Sequence, residues 1–174
     1  MSSVPATDPW LGFVLDLCNT YDLLEDPPDR LTIPLVTRLA AHHELADPGL
    51  TEADLESVRA VRNRLYEVFA EADPHAQYGV LNDVFTAYGA QPRLIAGPRL
   101  AATGGADPVA RLAISAADAL ARAVADGAAD RLRTCAGDPC RCVYVDRTKA
   151  NRRRYCCELC NDRMASAAYR SRKS

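Results

Sequence analysis

Apolar residues recur every three to four positions along much of the chain, the spacing that lines one face of an α-helix. Within residues 10–24, Leu11, Val14, Leu15 and Cys18 make such a stripe, interrupted by the polar Asp16 and Asn19. Glu25 to Pro34 is rich in Pro and Asp and predicts a loop. Leu35, Val36, Leu39 and Ala40 predict a short helix over 35–45. The clearest stripe is Leu55, Val58, Val61, Leu65, Val68 and Phe69; with Thr51 and Asp54 as an N-terminal cap it predicts a helix over 51–72. Val80, Leu81, Val84, Phe85 and Tyr88 predict another over 75–89. Short apolar pieces around Gly97-Pro98 then predict a β-hairpin over 93–103, closed by Gly104-Gly105. An Ala-rich helix over 107–126 follows, with Gly127 as its stop. Near the C-terminus, Val143-Tyr144-Val145 predicts a short strand turned by Asp146-Arg147-Thr148, and 158–172 a last helix packed through Met164, Ala167 and Ala168. The expected fold is a mainly α N-terminal body with a small hairpin, followed by a small ribbon- or treble-clef-like C-terminal finger ending in a helix.

Charge divides the chain where the pattern changes. Residues 1–130 hold 9 Lys+Arg against 19 Asp+Glu, whereas 131–174 hold 12 against 4. An acidic body, 1–130, thus carries a basic module, 131–174, suited to a polyanion. Six of the seven cysteines fall between positions 135 and 160. At 174 residues the chain is too short for a barrel enzyme of roughly 250 residues. It holds no apolar run of membrane-spanning length, and Met1 to Pro9 lack the features of a signal peptide. A cytoplasmic protein is expected, in which clustered thiols serve as metal ligands rather than disulfides.

Cys135-x4-Cys140, a 15-residue gap and Cys156-x3-Cys160 have the spacing of a four-cysteine zinc site; Cys157-x2-Cys160 is the alternative second pair. Asp138-Pro139 suits a turn inside the first pair. Cys140 and Cys142 are poorly placed to bind together on one extended strand. A closed site of four thiolates leaves no open position for water, so one structural Zn2+ is expected and the chemistry falls to its surroundings. These are basic: Arg152, Arg153 and Arg154 precede the second pair, and the last helix carries Arg163, Arg170, Arg172 and Lys173. Arginines on a zinc-supported helix fit contacts with duplex DNA. Tyr155 fits either a base stack or simple packing.

The run Arg153-Arg154-Tyr155-Cys156-Cys157-Glu158-Leu159-Cys160-Asn161-Asp162-Arg163 resembles the CGNR zinc-finger motif. That family pairs the finger with an N-terminal ABATE domain in stress-induced bacterial transcription regulators. Leu15-Asp16-Leu17-Cys18-Asn19-Thr20 looks like its opening LDFVNT segment. Leu81-Asn82 with Gln91-Pro92-Arg93-Leu94 looks like its centre, and Arg131-Leu132-Arg133-Thr134-Cys135 like its RLRRC lead into the finger. The resemblance covers nearly the whole chain and implies Cys135, Cys140, Cys156 and Cys160 as ligands, with Cys157 where the family often has serine. The name-giving motif departs here to Cys160-Asn161-Asp162-Arg163. Asp162 would repel a phosphate at that point. The spare thiols Cys142 and Cys157 leave room for redox sensitivity.

The expected function is a DNA-binding transcriptional regulator whose body senses a ligand or dimerises. Asp16, Asn19 and Thr20 could line a small-molecule pocket with Arg93; the plainer expectation is a hydrogen-bond network joining helices to the hairpin. His42, His43 and His75 stand in no catalytic arrangement in the sequence, and the motifs of serine hydrolases, zinc peptidases and phosphate loops are absent. A finger binding an acidic protein partner is the alternative to DNA, and an enzyme with a pocket in the body the third reading. A homodimer would suit a palindromic operator.

Overall fold

The computed structural model describes residues 8–97 and 99–173. Pro98, and most of the N-terminal stretch read above for a leader, lie outside them. The order is α1 (Pro9–Cys18), α2 (Ile33–His42), α3 (Leu55–Ala70), α4 (Pro74–Ala87), β1 (Ala90–Ile95), β2 (Arg99–Gly104), α5 (Pro108–Ala123), β3 (Leu132–Thr134), β4 (Val143–Val145) and α6 (Glu158–Ser171). No described helix is long and apolar enough to cross a membrane.

Three helices open on Asp-Pro. Asp8, Asp73 and Asp107 accept bonds from the first free backbone N–H groups, and the next residue, proline, lacks the N–H that a helix start leaves unpaired. Thr32 caps α2 in the same way. The alanines of α5 let neighbours approach closely: Ala113, Ala116, Ala117 and Ala119 are buried beside Leu112, Ile114 and Leu120, and α1, α3, α4 and β2 pack around this helix. Gly127, at φ +84°, ends the turn that follows α5 in a conformation glycine alone adopts cheaply.

Several boundaries differ from the expected ones. α1 stops at Cys18 because residues 19–22 are drawn elsewhere: Thr20 and Asp22 bond through the backbone to Arg30 and Pro28, and Tyr21 bridges to Asp29. α2 starts earlier than expected and stops before Leu45, since Thr32 supplies the cap and Pro34 fits its first turn. The hairpin is longer, 90–104 in place of 93–103. The largest correction concerns α6, whose only fully buried residue is Cys160; Met164 and Ala167 are half-buried and Ala168 is exposed. That helix is held by its N-terminal turn rather than by an apolar stripe.

The body and the basic module share a core. β3 and β4 pair antiparallel, Leu132 opposite Val145 and Thr134 opposite Val143. Leu132, Val143 and Val145 are buried in the same cluster as α1, α3 and α5. Asn19 seals this joint: its Nδ2 donates to the Val143 carbonyl (3.1 Å) and its Oδ1 accepts from the Val143 N–H (2.7 Å). At the far end of β4, Asp146 is fully buried and builds the following turn, accepting from Thr148 N–H (2.9 Å), Thr148 Oγ1 (2.6 Å) and Arg153 N–H (2.8 Å). Burial would raise its pKa, but these donors outweigh it and hold the carboxyl below the usual range.

Candidate metal centre

The β3–β4 ribbon and α6 bring four sulfurs to one point. Cys135 leaves β3 and Cys140 precedes β4; a turn between them is closed by the Cys140 N–H donating to the Gly137 carbonyl (2.6 Å). Cys156 precedes α6 and Cys160 lies in its first turn, and the extended Cys157 between turns the chain so that both sulfurs face the same point. The four sulfurs lie within 4.8 Å of one another; Cys140 to Cys156 is 3.7 Å and Cys156 to Cys160 is 3.6 Å. A tetrahedron with Zn–S bonds near 2.3 Å requires sulfurs about 3.8 Å apart. The cluster takes Cys156 and leaves Cys157 exposed outside it, which decides between the two pairs.

Donors surround the thiolates. The Cys156 N–H points to Cys135 Sγ (3.3 Å), the Cys142 N–H to Cys140 Sγ (3.5 Å), and Arg163 Nη2 to Cys160 Sγ (3.5 Å). Such outer partners orient metal ligands and offset their charge. Without a cation the thiols titrate apart: burial raises Cys160 to about 12, burial with the neighbouring thiols pushes Cys156 higher still, and at Cys135 burial is outweighed by hydrogen bonds that lower the thiol. A divalent cation reverses that balance. Its sulfur-only coordination is complete, so the ion would cross-link the fold and leave no place for a reacting water.

Two comparisons bear on this geometry. The ABATE family profile, described as "Putative stress-induced transcription regulator", matches residues 12–135. The chain belongs to the ABATE family. A CGNR zinc finger profile matches residues 131–173, over the four-sulfur cluster. No curated relative matches the chain. The ABATE body with its CGNR finger thus has a regulatory, zinc-binding role, and the finger holds one structural zinc.

The arginines of the CGNR finger fall into two groups. Arg163 faces inward; besides Cys160 it donates to the Gly137 carbonyl (3.3 Å). Arg153 lies against the ring of Tyr144, and its Nε donates to the Tyr155 carbonyl (2.7 Å) and its Nη2 to the Cys156 carbonyl. Tyr155 is half-buried against the cysteine cluster and serves packing. Arg153 is nonetheless exposed, as are Arg152, Arg154, Arg170, Arg172 and Lys173.

The residues read from the ABATE body as a pocket are not brought together. Asn19 clamps β4, Thr20 Oγ1 donates to the Leu17 carbonyl (2.7 Å), Asp16 meets His43, and Arg93 is exposed on the hairpin. The network joins helices to the finger rather than to the hairpin. Two arginines in this joint carried no local sequence signal. Arg62 of α3, 3% exposed, forms a bidentate pair with Asp29 (2.6 and 3.1 Å). Arg141, between Cys140 and Cys142, lies between the rings of Tyr21 and Tyr66 (4.5 and 4.1 Å), fixing the finger's first knuckle to α3.

Proposed function

We propose that the zinc-ordered finger binds duplex DNA through its exposed cations, as the reading head of a transcriptional regulator. The observation that carries this reading is the sorting of the arginines: Arg163 is half-buried and Arg153, though exposed, bonds backbone carbonyls, while Arg152 and Arg154 beside α6, and Arg170, Arg172 and Lys173 at its far end, present exposed charge. Opposite ends of a protruding helix then offer charge to the phosphate backbone. Glu158 in the first turn of α6 and Asp162 one turn on oppose a phosphate near that helix end, so the contacts fall on the flanking cations rather than the helix end.

The Arg152→Ala/Arg154→Ala double variant tests this. Zinc content should stay at one per chain. Duplex binding should weaken to a similar degree on every sequence, and the slope of log affinity against log salt should shrink by about 2. Unchanged affinity at low salt would make these side chains a solvated flank. The ABATE body supports dimerisation better than sensing at the residues first considered. Leu94 and Leu100, 78% and 63% exposed, stand opposite each other across the hairpin and would be covered in a homodimer. Replacing Leu94 with Asp should convert a dimer to monomer by sedimentation; a wild-type protein that is already monomeric contradicts this part of the reading.

A further inference from the structure

We infer that Asp16, His42 and His43 form a second metal site, for an exchangeable divalent transition-metal ion such as Zn2+, Co2+ or Ni2+, where α1 meets the end of α2. One carboxylate oxygen and one ring nitrogen from each histidine lie within 4.8 Å of one another. His43 Nε2 is 2.7 Å from Asp16 Oδ2, and the two imidazole rings stand edge-on with centroids 4.9 Å apart. His42 belongs to the last turn of α2 and is exposed; an Asp16–His43 hydrogen bond alone would not need it.

The site is shaped as well as populated. The His43 ring lies over Gly12, so closely that a Cβ there would sit 2.7 Å from its Cε1 and Nδ1. Gly12 and Asp16 are one helical turn apart on α1. The same face therefore supplies both the gap that seats the ring and the carboxylate that meets it. Two imidazoles and a carboxylate suit borderline transition ions rather than Mg2+ or Ca2+, and three protein ligands leave room for water. The acidic body, 19 Asp+Glu against 9 Lys+Arg over residues 1–130, favours cation entry. The donors are nitrogen and oxygen, so the ion differs chemically from one in the cysteine cluster. Asp16 also lies three residues before Asn19, which clamps β4, so the ion would abut the joint between body and finger.

The test uses tag-free protein already carrying one Zn2+ per chain, titrated with Co2+ and followed by calorimetry and absorption. A further equivalent should bind with weak visible bands and no thiolate-to-cobalt charge transfer. His42→Ala, which spares the buried core and the Asp16–His43 pair, should weaken that step by at least about tenfold while the first zinc is retained. Asp16→Asn should act likewise. Uptake confined to the cysteine-type spectrum, or a second step that both variants leave unchanged, overturns the proposal.

Discussion

Cys160→Ser should lose the bound zinc and unfold α6 while leaving α1 to α5 folded. Cys160 is the only fully buried residue of that helix, and its sulfur is one corner of the cluster. A helix of 14 residues with so little packing is marginal in water once its metal anchor is gone. Structural zinc contributes on the order of 10 kcal/mol or more to small finger folds, so no single change outside the four ligands should act as strongly in the finger. The ribbon is held independently: Leu132, Val143 and Val145 sit in the main core, Asn19 bonds both backbone groups of Val143, and Arg141 is gripped by two tyrosines. The loss should therefore stop near β4. Cys157→Ser and Cys142→Ser should keep one zinc per chain, because their sulfurs stand outside the four-sulfur cluster. Metal analysis with far-ultraviolet circular dichroism reads all three variants. A Cys160→Ser protein with full zinc, or a Cys157→Ser protein without it, contradicts the ligand set.

Asp29→Ala should cost about 3 kcal/mol, because it strands a buried guanidinium. Arg62 is 3% exposed, and both oxygens of Asp29 bond it. The figure lies at the low end for a broken buried pair. Asp29 is itself partly exposed, and Arg62 keeps Asn63 Oδ1 (3.1 Å) and Thr20 Oγ1 (3.3 Å) as acceptors. For a chain of this length the melting temperature should fall by about 6–12 °C. Adding Arg62→Met removes the stranded charge and should recover much of the loss. The Arg62 guanidinium holds the Asp29 carboxyl below the usual carboxylate range. A lowered folded-state pKa stabilises above the unfolded value, and the contribution fades as pH falls through the folded one. The gap between wild type and Asp29→Ala should thus be full at neutral pH and narrow below about pH 4. A gap under about 0.5 kcal/mol at pH 7 would mean that water already solvates Arg62.

The helical body was legible because its stripes are long and regular; α3 and α5 appear where Val58 to Phe69 and Val109 to Leu120 place them. The zinc site was legible for a different reason. Sulfur ligands on two tight turns leave a spacing in the chain itself, and the resemblance to the CGNR motif chose Cys156 over Cys157. Helix starts were only half legible. Asp-Pro occurs at 8–9, 26–27, 47–48, 73–74, 107–108 and 138–139, yet only the first, fourth and fifth open helices. The dipeptide caps a helix only where a helical stripe follows. What the sequence hid were contacts across long separations. Asn19 meets Val143, Arg62 meets Asp29, and Asp16 meets His43 with no repeat or spacing to announce them. The arginines posed a related problem. Arg153 and Arg154 are exposed neighbours of one type, and only the position of nearby carbonyls ties the guanidinium of the first down to the backbone.

Binding of the zinc-loaded chain to a duplex of mixed sequence, measured across salt concentration, tests the central reading most directly. Phosphate contacts by Arg152, Arg154, Arg170, Arg172 and Lys173, five of the finger's exposed cations, predict log affinity falling linearly with log salt, at a slope of about −4 to −5. No binding at low salt, or a slope near zero, would contradict a DNA-reading finger and turn the same surface toward an acidic protein partner.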